Sequence, residues 1–175
     1  LEEIENSFSS LKSKGSKNQI VPLLMVGYNR RFAPLVIQLK RILDCLSGPK
    51  SFIYTCNAGK IPNDHWSQNP SIGGGRLVGE ACHFVDLLRF LASSPIETMQ
   101  IIKAKDTKDC PDTFMINIKF LNGSIASLQY LSTGNKAFPK ERIEVFADGK
   151  ILQLDNFRRL KAWGLKSNSR RSTFS

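Results

Sequence analysis

The apolar positions change period along the chain, and each change marks an element. In LEEIENSFSSLKSK, residues 1 to 14, Leu1, Ile4, Phe8 and Leu11 recur at spacings of three and four, which predicts one face of a helix. Its acidic residues come first and its lysines last, in keeping with the helix dipole, and Gly15 offers a stop. QIVPLLMVGY, residues 19 to 28, is almost continuously apolar, as a strand buried in a parallel sheet is, with Pro22 at its start. After NRRF, Pro34 suits the first turn of a second helix running to about Leu46, ended by Gly48-Pro49. Helix, buried strand, helix is half of a doubly wound unit.

From Lys50 the pattern shifts. SFIYTCN reads as a strand and AGKIPNDHWSQNPSI as a loop, and GGGRLVGEACHFVDLLRFL opens on three glycines and continues as one long helix to Leu91. Beyond Pro95, ETMQIIKAK, TFMINIKF, SIASLQYL, RIEVFA and KILQLD are five strand-like segments. Asn122-Gly123 and Asp148-Gly149 separate two of the pairs, and such dipeptides favour hairpin turns. The expectation is an α+β fold with an open, mainly antiparallel sheet covered by helices. The tail after Phe157 has no apolar period and reads as irregular, and no internal repeat is present. TFMINIKF and SIASLQYL carry apolar residues on both faces, so a second sheet face left bare would be costly. A symmetric homodimer burying that face is the economical arrangement.

Composition narrows the class. With 175 residues, 41% hydrophobic and 23% charged, the chain can bury a core, and disorder throughout is excluded. No apolar run approaches the roughly 20 residues that span a bilayer, and no signal-type start is present, so the reading is a cytoplasmic protein with no membrane partner. Cys45, Cys56, Cys82 and Cys110 are scattered without metal-type spacing, which predicts buried free thiols and no metal site. The formal charge of +10 is dispersed over KSKGSK, NRRF, RRLK and SRRS without interleaved aromatic residues. That favours a solvated surface with a basic tail over a nucleic-acid face.

The candidate chemistry lies on the 73–91 helix. Helical positions three or four apart share a side, so Gly79, Glu80, His83, Asp86 and Leu87 form one stripe among large apolar residues. His83 can take and return a proton near neutrality, and Glu80 or Asp86 could fix its tautomer. Periodicity alone leaves two readings open: a packed helix with satisfied polar groups, or one wall of an active site. A Cys82–His83 nucleophile pair is excluded, because successive helical residues point about 100° apart.

At these residues the sequence resembles the Gfo/Idh/MocA family of NAD(P)-dependent oxidoreductases. The resemblance rests on VGYNRRFAP at 26 to 34, NDHWSQNP at 63 to 70 and GGGRLVGEACHFVDLLRFL. DNFRRLKAWG at 155 to 164 is similar to a branch fused to a zinc-type alcohol dehydrogenase. The resemblance implies that residues 1–48 are the end of a Rossmann-type nucleotide-binding domain, its last βα piece. Residues 49–175 are then a substrate and oligomerisation domain built on the open sheet. It implies NAD or NADP in the intact protein and a sugar or cyclitol-like alcohol as substrate. The G-x-G-x-x-G turn and the E-K-P lysine are absent from this sequence. The expectation is therefore a severed, inactive portion that binds no cofactor tightly.

By resemblance, His83 is the acid or base on the reacting hydroxyl, with Glu80 and Asp86 as its catalytic companions. The family often has an aspartate four residues before that histidine, where this chain has Gly79, followed by Glu80. Asn29 and Arg30 follow the strand end on the cofactor side. Trp66 lies in a loop similar to the family's active-site loop, and Lys60 is grouped with it on the substrate side; Trp66 could equally anchor a long loop. The alternative function is a non-catalytic assembly or binding module that keeps the fold for its sheet.

Overall fold

In the computed structural model, residues 2–14, 23–62, 64–69, 71–105, 112–165 and 172–174 are described. The predicted stop at Gly15, the predicted strand start at Pro22 and the thiol of Cys110 lie outside them.

Helix α1 spans Glu2–Lys14 with Glu2, Glu3 and Glu5 in its first turn. Helix α2 spans Pro34–Asp44 with Pro34 at its start, and buries Val36, Leu39 and Leu43, a stripe of one helical face. The predicted buried strand before it is not found: residues 23–28 have no strand pairing, and Leu23 is 90% exposed. A continuous apolar run becomes a buried strand only where neighbouring strands accept its hydrogen bonds on both sides, and no such neighbour lies alongside it among the described residues.

Strand β1, Ser51–Asn57, opens the sheet. The predicted long helix is two pieces, α3 at Gly75–Gly79 and α4 at Ala81–Ala92. Glu80 stands between them at φ −120°, outside helical geometry, after a glycine of low helix propensity. Gly74 caps α3 at φ 66°, a left-handed conformation that glycine adopts without strain.

Strands β2 (Ile96–Lys103), β3 (Phe114–Phe120), β4 (Ile125–Leu131), β5 (Glu141–Ala147) and β6 (Lys150–Asp155) follow the five predicted segments. Two further strands, β7 (Arg159–Trp163) and β8 (Ser172–Phe174), occupy the tail expected to be irregular. RLKAW alternates after all, burying Leu160 and Ala162. Its hairpin was hidden because the turn is Asn156-Phe157, both at positive φ and neither a glycine. By contrast Asp148 and Gly149 show the positive φ pair expected of a tight hairpin.

The eight strands order as β2-β3-β4-β1-β5-β6-β7-β8. Only β1 and β4 run parallel; every other neighbour is antiparallel. The inner face carries Phe52, Tyr54, Phe114, Ile116, Leu128, Tyr130, Val145 and Leu152, all buried under helices as expected. Helix α4 lies over β4 and α2 over β6 and β7. Each fully buried aliphatic or aromatic side chain contributes about 1.5–3 kcal/mol relative to exposure. Of the described cysteines, all free, Cys56 is buried and Cys82 half-buried. Cys45 is exposed, against expectation, because it caps the solvent end of α2.

Candidate functional site

Among the described residues, buried charge includes Arg76, Asp86 and Glu141, each with a partner of opposite charge. Glu141, at the head of β5, points to the inner face like Ile143 and Val145 and is buried. A carboxylate there requires partners, and it has them. Tyr54 Oη donates to it, and Arg30 donates from Nε and Nη2 at 3.1 and 2.9 Å. The Arg30 guanidinium also stacks over the Phe84 ring, 4.5 Å from its centroid. Burial, then the Glu141 charge, holds the Tyr54 phenol well above its usual value, so it stays a donor.

The next arginine is held the same way. Arg31 donates from Nε to Asp86 Oδ2 at 2.6 Å, and its Nη2 pairs with Oδ1, while the guanidinium lies over Phe90. The NRRF turn, a short 3-10 helix at Asn29–Phe32, is thereby fixed to the sheet by Glu141 and to α4 by Asp86. Arg30 and Asp86 thus serve this anchor: neither guanidinium nor carboxylate is left pointing at a ligand. Asn29 is exposed beside them.

Glu80 turns to the sheet. Tyr130 Oη donates to its Oε2 at 2.6 Å, and Arg76 Nε donates to its Oε1 at 2.9 Å. Arg76 is buried, spends Nη1 on the Gly59 carbonyl at 2.6 Å, and stacks over Tyr130. Burial raises the Glu80 carboxyl, but the hydrogen bonds from Arg76 and Tyr130 outweigh it and hold it below the usual carboxylate range. Its side chain keeps 36% exposure, so one edge faces solvent.

His83 lies against Tyr28, the ring centroids 5.5 Å apart and edge to face. Its Nδ1 is buried with no hydrogen-bond partner among the described residues. The expected carboxylate clamp on the histidine is therefore not formed: the break in the helix sends Glu80 to Tyr130, and Asp86 goes to Arg31. Sequence reasoning also missed Tyr130, Arg76 and Glu141, whose pattern signals were those of ordinary strand and helix residues.

Trp66 is 63% exposed on a short turn, and its ring lies 5.7 Å from that of His65. The turn is tied down by Gln68, whose Nε2 donates to Asp112 at 2.9 and 2.8 Å, and by Gly73, where a Cβ would stand 2.4 Å from Ser67 Cα. Trp66 is therefore not the anchor of its loop. Lys60 is exposed next to Gly59. Among the described residues there is no cluster of His, Cys, Asp or Glu fit to hold a metal. The G-x-G-x-x-G turn is not in the sequence, and Arg30, expected on the cofactor side, is committed to Glu141. No helix among the described residues is long and apolar enough to cross a membrane.

The family model for the GFO/IDH/MocA C-terminal domain matches residues 50–153, more than half the chain. The chain belongs to the GFO/IDH/MocA family. Solved structures agree in fold at low identity. Gal80p from Saccharomyces cerevisiae, as a super-repressor mutant, is 15% identical with a TM-score of 0.75, over 99% of this chain and 50% of its own. Aldose-aldose oxidoreductase from Caulobacter crescentus is 17% identical with a TM-score of 0.71, over 87% of this chain and 47% of its own. Levoglucosan dehydrogenase, in complex with NADH and levoglucosan, is 20% identical with a TM-score of 0.69, over 86% of this chain and 45% of its own. The chain thus spans about half the length of these GFO/IDH/MocA-like structures. No curated protein matches the sequence.

Proposed function

We propose that this chain is the substrate-side part of a nicotinamide-dependent dehydrogenase acting on a sugar or cyclitol-like alcohol in the cytoplasm. The observation that carries the reading is His83, its Nδ1 left without a partner among the described residues, three positions from Glu80, a carboxylate held ionised by Arg76 and Tyr130. A histidine takes or returns the hydroxyl proton, and the fixed Glu80 carboxylate accepts from a substrate hydroxyl and orients it. Nicotinamide would supply the redox chemistry. The E-K-P lysine and phosphate turn are not among these residues, so the chain by itself is inactive. The NRRF turn is the joint to the Rossmann part, with Asn29 on the cofactor side. The branch fused to a zinc-type alcohol dehydrogenase is the finer placement, supported by DNFRRLKAWG. The support of the neighbours is that one carries NADH and levoglucosan and another is an aldose oxidoreductase.

The test is an NADH fluorescence titration of this chain and of the protein extended upstream, followed by sugar turnover. Binding and turnover by the extended form, with His83→Ala lowering kcat at least 100-fold, is the expected result. Unchanged turnover in His83→Ala would remove the assignment.

A second reading is a non-catalytic module that associates with a second copy through the sheet. Two observations favour it: the outer face shows Ile53, Ile125, Phe146, Ile151 and Trp163 to solvent, and one neighbour is a repressor variant. In that case the extended protein binds no NADH and His83 is structural.

A further inference from the structure

Beyond the C-terminal end of β1 lies a cavity of about 470 Å³, lined chiefly by Asn57, Gly59, Gly134, Lys136, Phe138 and Lys140. That is room for a monosaccharide with a substituent. Its wall is built, because the 132–140 segment is pinned to β1. Asn57 Nδ2 donates to the carbonyls of Asn135 and Phe138 at 2.7 and 3.4 Å, and the Asn57 amide donates to the Lys140 carbonyl at 2.7 Å. Gly134 makes this closure possible: a Cβ there would stand 1.9 Å from Asn57 Oδ1.

What the cavity leaves for a ligand is one-sided. Asn57 Oδ1 is shut off from solvent, and Asn156 Oδ1 already accepts from the Glu141 amide. No carboxylate among the described residues lines it. Lys136 and Lys140 are not ion-paired among the described residues. The remaining side-chain groups are thus donors, two of them the cationic ends of the exposed Lys136 and Lys140. The cavity also joins the site already described, since its Gly59 carbonyl accepts from Arg76, which in turn holds Glu80.

We propose that this cavity receives the anionic group, carboxylate or phosphate, of a sugar whose reacting hydroxyl is handled at Glu80 and His83. The Lys140 charge acts on Glu80 in the same sense, helping to hold its carboxyl low. The proposal rests on the sugar reading for the identity of the ligand but not on the dehydrogenase reading for its detection, because binding is measured without cofactor.

The test is an amide chemical-shift titration of this chain with glucose, glucuronate, glucose 6-phosphate and inorganic phosphate. At least one of the two anionic sugars binds about tenfold tighter than glucose, with shifts centred on Gly59 and Gly134. Which one does so identifies the anion. Lys136→Gln and Lys140→Gln each cost about threefold, as exposed charge pairs do, and together abolish the preference. Lys119→Gln, at the far end of the sheet, leaves it intact. Equal binding of glucose and both anionic sugars, no binding, a preference surviving the double variant, or phosphate alone binding as well as glucose 6-phosphate would each overturn the proposal. Failure of the dehydrogenase reading appears elsewhere, as absence of NADH binding by the extended protein.

Discussion

The two faces of the sheet obey the same alternation and end in different states. On the inner face, Phe114, Ile116, Ile118 and Phe120 of β3 are buried beneath helices, beside Leu128 and Tyr130 of β4. On the outer face, the strand register lines up Lys119, Ile125, Ser51, Phe146, Ile151 and Trp163 across six strands, a row mixing apolar and polar side chains that stay partly open. Period two says only that two faces differ; it does not say what covers each. The inner face is where folding energy is concentrated, and even its charges are paired. The outer face can carry an interface without the fold depending on it.

The comparison is broken most severely from the inside. Leu87→Ala in α4, at a fully buried position, lowers stability by about 3 kcal/mol in urea unfolding, whereas Ile125→Ala on the outer face costs under about 1 kcal/mol. Equal losses would mean that the outer face is also core. Next comes Glu141→Gln, which leaves Arg30 without its carboxylate and weakens the Tyr54 bond. It costs about 2–3 kcal/mol and loosens the NRRF turn, seen as faster amide exchange at Arg30 to Phe32.

Glu80→Gln is milder, about 1 kcal/mol, because the side chain is a third exposed. A carboxyl held below its usual range adds stability at neutral pH and loses that contribution as pH falls through its folded value. The gap between wild type and Glu80→Gln therefore closes below about pH 4 in pH-dependent melts. A gap constant with pH would show that the carboxylate charge is irrelevant there. Phe146→Lys has the smallest effect on stability, within about 0.5 kcal/mol, and sharpens the contrast if it lowers the sedimentation coefficient of an associated form. At pH 8 a thiol reagent labels exposed Cys45 ahead of Cys82 and Cys56. Cys56, whose thiol burial and then Glu141 push up to about 12, stays unlabelled until unfolding.

Much of the fold was legible because it is local. The five strands from Ile96 to Asp155, β1 and the face of α2 follow from spacings within single segments. Where a segment's fate depended on neighbours, local pattern misled. Residues 23–28 are apolar enough for a buried strand yet lie exposed without one, and RLKAW joined the sheet through a turn with no glycine to announce it. The stretch from Gly73 to Leu91 shows both cases: its apolar side was right, and the break at Glu80 was not foreseen.

By itself the sequence determined most element types between Pro34 and Asp155, the alternation that separates the sheet's inner and outer faces, and the family resemblance. Tertiary structure alone decided the roles of the charges. Arg30 meets Glu141 across 111 residues and Arg31 meets Asp86 across 55, so no spacing rule along the chain could pair them. It also parted Glu80 from His83 and drew two lysines around one cavity. The physical reason is that periodicity follows from backbone geometry over a few residues. A buried charge, in contrast, is placed by whichever distant partner the folded chain brings within hydrogen-bonding distance.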